Sequence, residues 1–400
     1  MEMPKARFGV NPILSPVPLP GFEKGGVRDV ACGQNHTAVV TTSGELLTFG
    51  NGSYFKLGHG ARVNVKEPTV VQENVKEPTV VQSLSDAGVR LRSSLSDAGV
   101  RLRSVACGDS HTAAIDEDGL LYTWGWGGSL FSGGGALGHG STSGDVKEPQ
   151  LVEAVADVLK AVQVGAGENH TAILTDDGEV WACGAGEYGR LGNGGTSDCA
   201  TPTPVLGLED KVITRLSVGH AFTLALASTG ELYGWGRNDA GQLGLGGGFS
   251  MDVYAMENLP RQVAEDHALG TKKIVAMAAG HSHACAVTDD GKLYMWGMKR
   301  YLEPEHMSVM DNETVTDVGC GDKYAAVITQ QGDMFTFGKG RSNCLGHGAT
   351  TTLPQPTLVE FFERHNLRVV KVACGHRHVA ALVIPPDDES DSESDSKDES

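Results

Sequence analysis

Short runs in which apolar and polar residues alternate recur along the chain, each entered through a turn pair that ends in glycine. LLTFG at 46–50, LLYTWG at 120–125, VWACG at 180–184, LYGWG at 232–236, LYMWG at 293–297 and MFTFG at 334–338 follow Ser43-Gly44, Asp118-Gly119, Asp177-Gly178, Thr229-Gly230, Asp290-Gly291 and Gln331-Gly332. Glycine supplies the positive φ that a tight hairpin needs, and the alternating residues on either side predict two antiparallel strands. The strand ahead of each turn repeats as well. It reads GQNHTAVV from Gly33, GDSHTAAI from Gly108, GENHTAIL from Gly167, GHAFTLAL from Gly219, GHSHACAV from Gly280, GDKYAAVI from Gly321 and GHRHVAAL from Gly375.

These seven copies carry His36, His111, His170, Phe222, His283, Tyr324 and His378 at the fourth position, spaced by 75, 59, 52, 61, 41 and 54 residues. A period near 50 marks a repeat architecture in which each unit is a small antiparallel sheet. The seventh copy has no aromatic-glycine strand after it. KARFGVNPIL at the amino terminus carries Phe8-Gly9, the missing pair. An amino-terminal strand pairing into the last sheet would close the ring and leave no open edge. The expectation is an all-β, seven-bladed propeller over residues 1–386.

The longest spacing has its own explanation. Within residues 64–104, NVKEPTVVQ and SLSDAGVRLRS each occur twice, and removing one copy of each together with Glu73 brings the spacing of 75 to 54. Both copies cannot fill one strand position, so a looped-out excursion is expected between the first two blades.

Units of about 50 residues with V-A-C-G-x-x-H-T-A, D-G, Y-x-W-G and G-x-L-G resemble the regulator of chromosome condensation repeat family over roughly residues 5–385. That resemblance implies a seven-bladed propeller with this ring closure. The family's uses differ: exchange factors for the Ran-type GTPase, a plant ultraviolet-B photoreceptor, and domains of ubiquitin ligases and scaffolds. A fold does not choose among them. GDSHTAA is similar to a stretch of the exchange factor that touches its GTPase, so the resemblance points to Asp109, with His283 and His378 as looser matches. Against exchange stand a compact third unit, CGAGEYGRLGNGGTSDCATPTPVL, where the exchange factor carries a protruding wedge, and the lack of a basic amino-terminal tail. Against light sensing, none of the seven G-x-x-H loops contains tryptophan.

Composition narrows the picture. Lys plus Arg number 32 against 50 acids, a net charge of −18, which repels a phosphate backbone and argues against direct DNA binding. No signal sequence and no apolar run of 18 is present, so an intracellular protein, cytoplasmic or nuclear, with no membrane contact is expected. Cys32, Cys107, Cys320 and Cys374 precede the repeat glycine as small packing residues, and no C-x-x-C occurs. His281 with His283, and His376 with His378, stand two apart, yet fitting carboxylates are absent, so no metal, no cofactor and no catalytic residue is expected. The repeat histidine reads as a buried group hydrogen-bonded to backbone.

Function is then sought where the repeats differ, in the loops. The candidate partner-binding face is Asp109, Glu168, His220, His281, His283, Asp322, His376, Arg377 and His378. The reading is a non-catalytic protein-interaction propeller that regulates a small GTPase, with a Ran-type GTPase as the candidate partner, or acts as a scaffold. The alternatives are an exchange factor for a Ran-type GTPase and a chromatin-associated structural protein. From Asp387 on, 8 acids and 1 lysine form a disordered tail, residues 387–400, that could meet a basic protein. Ser390, Ser392 and Ser396 each have an acid three residues later, the pattern of acidophilic casein-type kinases.

Overall fold

The computed structural model describes residues 16–19, 26–71, 99–128, 134–141, 144–246, 255–264 and 268–384. The predicted hairpins are present, and each extends into a four-stranded antiparallel sheet. Six such sheets span residues 27–70, 102–151, 161–204, 213–262, 274–306 and 315–358, every one with its strands in sequence order. The seventh copy forms a two-stranded sheet only, Arg368–Cys374 with Val379–Ile384. Seven complete blades are therefore corrected to six among the described residues. The strand expected at residues 5–14 lies outside them.

The second strand of each complete sheet, from His36, His111, His170, Phe222, His283 or Tyr324, is buried at all six positions because it is paired on both sides and covered on both faces. Val379–Ile384 is the same strand with one neighbour fewer, and it is partly exposed throughout. The two-stranded sheet packs against both the sixth and the first sheets, so the sheets surround a common axis.

Every innermost strand breaks register with its neighbour near its start, as between Val27 and Asp29 or Val369 and Lys371. Such a bulge bends and twists the strand, which tilts its far end toward the axis. Apolar side chains fill the gaps between neighbouring sheets. Leu174 and Ala182 of the third sheet, for example, pack with Leu216 and Trp235 of the fourth.

Tryptophans fasten one sheet to the one before it. Trp124, Trp235 and Trp296 are fully buried, and each indole N–H donates to a carbonyl of the preceding sheet: Lys56 at 3.0 Å, Arg190 at 3.2 Å and Gln242 at 2.9 Å. Trp181 does not belong to this set. In VWACG it takes the place of the tyrosine of LYGWG, and Cys183 fills the tryptophan's place, its thiol 3.7 Å from the Ala136 carbonyl.

The first sheet takes its outer strand, Val65–Val70, from the first copy of the doubled segment, and the second sheet takes Leu102–Cys107 from the end of the last copy. The expected excursion falls on residues 72–98, outside the described residues. So does the tail with Ser390, Ser392 and Ser396.

A candidate docking face at the axial mouth

The G-x-x-H loops converge on the axis. The backbone N–H of Gln34 donates to the carbonyl of Gly108, Asp109 to Gly167, Glu168 to His220, His220 to Gly280, His281 to Gly321 and His376 to Gly33. Between the sixth and seventh copies the Tyr324 hydroxyl donates to the Gly375 carbonyl at 2.8 Å instead. All seven loops are thus linked in a ring. Its tightness explains the repeat glycine: a Cβ on Gly280 would lie 2.6 Å from the Gly321 carbonyl oxygen and 2.7 Å from its own His283 ring.

Under this ring lies a layer of imidazoles that tie each sheet to the next. Nε2 of His36 meets Thr112 Oγ1 at 3.0 Å, His111 meets Thr171 at 3.0 Å, His170 meets Thr223 at 3.3 Å and His378 meets Thr37 at 3.0 Å. The threonine is the residue after the histidine of the next copy, or after Phe222 in the fourth. Thr112 and Thr171 donate their own hydroxyl hydrogens to the carbonyls of Lys56 and Ala136, so His36 and His111 must donate from Nε2 and keep Nδ1 as a bare lone pair.

Where the copies lack this pair, the Nε2 and hydroxyl atoms are still met. Phe222 is followed round the ring by Ala284, so neither side leaves a polar atom unmet. His283 faces Ala325 and donates to the Tyr324 carbonyl at 3.2 Å. Tyr324 precedes Val379 and reaches the carbonyls of Gly375 and His378. The expectation that the repeat histidine bonds to backbone is therefore corrected: threonine hydroxyls are the partners in four of five cases. Burial lowers these histidines' pKa, to about 4 for His111, His283 and His378 and well below the ordinary value for His36 and His170.

A second histidine set obeys the same logic. In LGHG, His59, His139 and His347 meet Thr48, Thr123 and Thr336 at 2.9, 2.9 and 2.8 Å, and each threonine donates to the leucine carbonyl two residues ahead of its histidine. The sheets that read LGNG and LGLG carry Ala182 and Gly234 at the threonine's place.

The residue after each ring glycine reaches the surface at the axis. Gln34, Asp109, His220, His281, Asp322 and His376 line a cavity of about 80 Å³, room for a few waters. The cavity also reaches Cys32, Cys107, Cys320 and Cys374. Burial holds Cys32 up at about 12 and the other three well above the usual thiol value, so they are inert thiols.

Of the predicted face residues, Asp109, Glu168, His220, His281, Asp322 and His376 come together at the mouth. His220 stands between two carboxylates, with Nε2 3.6 Å from Asp109 and Nδ1 3.4 Å from Glu168. Its ring lies 4.0 Å from that of His281, and His376 Nε2 is 3.5 Å from Asp322. Arg377 is exposed to the side of the mouth. His283 and His378 do not share this face. His283 is 0% exposed and both belong to the imidazole layer below, because the fourth position of the loop already points between sheets.

Two mouth residues escaped the sequence reading. Lys56 is only 3% exposed; its ammonium donates to the Asp109 carbonyl at 3.3 Å, and burial lowers its pKa. Arg190, 1% exposed, pairs with Glu168 at 3.3 Å and Glu187 at 3.5 Å. Both precede the L-G of G-x-L-G, where Ala136 and Cys344 stand in other sheets, and that variation was the available signal. Asp109 is raised to about 7, first by burial and then by Glu168, against the pull of Lys56. His220 is lowered to about 3, first by burial and then by His281 and Arg190.

A model of the RCC1-like domain matches residues 130–383, and models of the regulator of chromosome condensation repeat match residues 43–115, 27–55 and 102–129. The chain belongs to the RCC1-like propeller family. Among curated relatives, the ultraviolet-B receptor UVR8 of Arabidopsis thaliana is 28% identical over 358 residues, 86% of this chain and 72% of the receptor. The E3 ubiquitin-protein ligase HERC2 of Mus musculus is 31% identical over 324 residues, 77% of this chain but only 6% of the ligase. Among solved structures, Prp20p of Saccharomyces cerevisiae aligns with a TM-score of 0.74 at 20% identity, covering 90% of this chain and 83% of that one. Human WBSCR16 gives 0.73 at 22% identity, covering 90% and 87%. These structural likenesses concern the fold. Among the described residues of this RCC1-like chain, no helix is long and apolar enough to cross a membrane.

Proposed function

We propose that this RCC1-like chain is a non-catalytic protein-interaction propeller whose G-x-x-H face docks a partner, with regulation of a small GTPase as its leading use. The observation that carries the reading is the mouth itself. Asp109, Glu168, His220, Asp322 and His376 are charged or polar, come from five different loops and stay within reach of solvent, while the histidines and thiols beneath them are locked into packing. Prp20p binds Gsp1p and histones, which supports a protein partner on a propeller of this shape. The family resemblance makes a Ran-type GTPase the first one to try.

Closure of the seventh sheet by the amino-terminal segment belongs to the same reading. Pro16 packs beside Gly346 as Pro149 packs beside Gly58 and Pro202 beside Gly138, that is, as an outer-strand proline of the following sheet. This supports a strand order in which residues ahead of Pro16 pair with Val379–Ile384 and complete the blade.

The test is release of labelled GDP from a Ran-type GTPase, with the wild-type chain and with Asp109→Ala. Acceleration by the wild type and its loss in the variant are expected of docking at the mouth. The absence of both acceleration and co-elution with the GTPase would remove the GTPase reading.

A further inference from the structure

Asp109, His220 and Glu168 are arranged so that their proton count is constrained. A neutral imidazole carries one N–H, yet both ring nitrogens of His220 face a carboxylate oxygen, Asp109 at 3.6 Å and Glu168 at 3.4 Å. With a single proton, one nitrogen would turn its lone pair against a carboxylate. The arrangement is satisfied by an imidazolium between two carboxylates, or by a neutral imidazole with one carboxyl group protonated.

The neighbours select between these states. His281 on His220, with Arg190, Arg237 and His376 behind it, disfavours a second positive charge on the imidazole. Asp109 has Glu168 and Asp322 for company and only Lys56 to offset them, while the Gln34 amide donates to its Oδ2 at 3.4 Å. The additional proton therefore resides on Asp109, facing Nε2 of His220, and a movement of a few tenths of an ångström closes that gap to hydrogen-bond length. Arg190 already answers Glu168, and among the described residues Lys56 is the cation that reaches the Asp109 loop. When Asp109 loses its proton to solvent, the mouth gains one negative charge beside Glu168 and Asp322, and Lys56 is the cation that offsets it.

We propose that the mouth is a proton-linked docking site, in which a lysine or arginine side chain of the partner enters against Asp109 and displaces the proton held between Asp109 and His220. This rests on the docking reading above and names the chemistry of what docks. Linkage sets the sign: Asp109 is protonated below about neutral pH, so binding of a cation strengthens as pH rises and levels off once Asp109 is ionised. The limiting slope for one proton is tenfold per pH unit.

The probe is a tetra-arginine peptide, with tetraglutamate as control, titrated calorimetrically into the full chain at pH 6 and pH 8. Roughly tenfold tighter binding at pH 8 is expected in the wild type, with about one proton released at pH 6. Asp109→Asn should remove both the pH dependence and the proton release. His220→Gln, which keeps a donor beside Asp109 and removes the ring, should shift the dependence to lower pH. Absent binding at both pH values, or pH dependence that survives in Asp109→Asn, overturns the proposal. No GTPase is present in this experiment, so its outcome does not depend on the GDP-release assay and the two readings fail separately. In the protein alone, imidazole ¹⁵N signals of His220 should move with a midpoint near 7 that is lost in Asp109→Asn.

Discussion

His281 and His283 sit two residues apart on one loop, as do His376 and His378, yet each pair divides between two environments. The first of each pair stands at the mouth, partly exposed and near Asp322. The second lies between sheets with its Nε2 on a fixed oxygen, fully buried at His283 and partly at His378. The same residue type does opposite work because the loop turns its second position to the axis and its fourth into the joint. A histidine in the joint is chosen for shape and one hydrogen bond, and it must stay neutral. A histidine at the mouth is also held neutral by burial, but it stands among acids, and there the group that takes up the proton is Asp109. The two layers should therefore respond to acid and to substitution with different signs.

Acid gives the largest contrast. The joint histidines have folded-state pKa values below the ordinary 6.5, about 4 for His111, His283 and His378. The unfolded chain then binds more protons than the folded one between pH 6.5 and 4, so stability falls as pH falls through that window. Each fully displaced histidine contributes about 1.4 kcal/mol of loss per pH unit, and several act together, giving several kcal/mol in all. Denaturant midpoints measured from pH 7 to pH 4.5 should drop steeply, and a flat profile would contradict a neutral, buried imidazole layer.

A smaller effect isolates one joint. Thr112→Ala leaves the His36 Nε2–H buried without an acceptor, at a cost of about 1–3 kcal/mol. The double variant His36→Phe with Thr112→Ala copies the pairing of Phe222 with Ala284 and should recover most of that loss. A double-mutant cycle by chemical denaturation reads the coupling directly. If the double variant is as unstable as the sum of its parts, the joint is not the unit of design.

That joint also marks where the sequence was legible and where it was not. The hairpins, the seven copies and the ring glycine could be read because turn chemistry and strand alternation are local. The partner of each histidine lies one copy away, 53 to 76 residues along the chain in three of the four threonine joints and across the closure in the fourth, His378–Thr37, so no local pattern announced it. The information was present as covariation inside one chain, with His283 and Ala325 the exception: His with Thr in the next copy, Phe with Ala, and in the second set His59, His139 and His347 with Thr48, Thr123 and Thr336. Trp181 was illegible for another reason. Its strand carries the tryptophan two places early, and only the sheet shows that Cys183 does the tryptophan's job. The mouth was half legible. Six loop residues could be named from the variable G-x-x-H positions, whereas Lys56 and Arg190 come from turns on the outer half of the sheets and arrive at the axis through long side chains.

The smallest effect tests the mouth against the joints. Asp109 has a folded-state pKa raised to about 7 from an ordinary 3.8, the reverse of the histidines. Here the folded chain binds the extra proton between pH 4 and 7, so this group's contribution to stability is present in acid and is lost as pH rises through 7. Asp109→Asn removes the charge and keeps the shape, so it should raise the denaturant midpoint slightly at pH 8 and by less as pH falls toward 4, where Asp109 is protonated in the fold. Water at the mouth screens the group, which keeps the gain below that of any joint variant. The acid-induced fall caused by the histidines should persist in Asp109→Asn with undiminished steepness. A variant that flattened that fall instead would mean the two layers titrate as one, and the division between a locked joint and a responsive mouth would have to be given up.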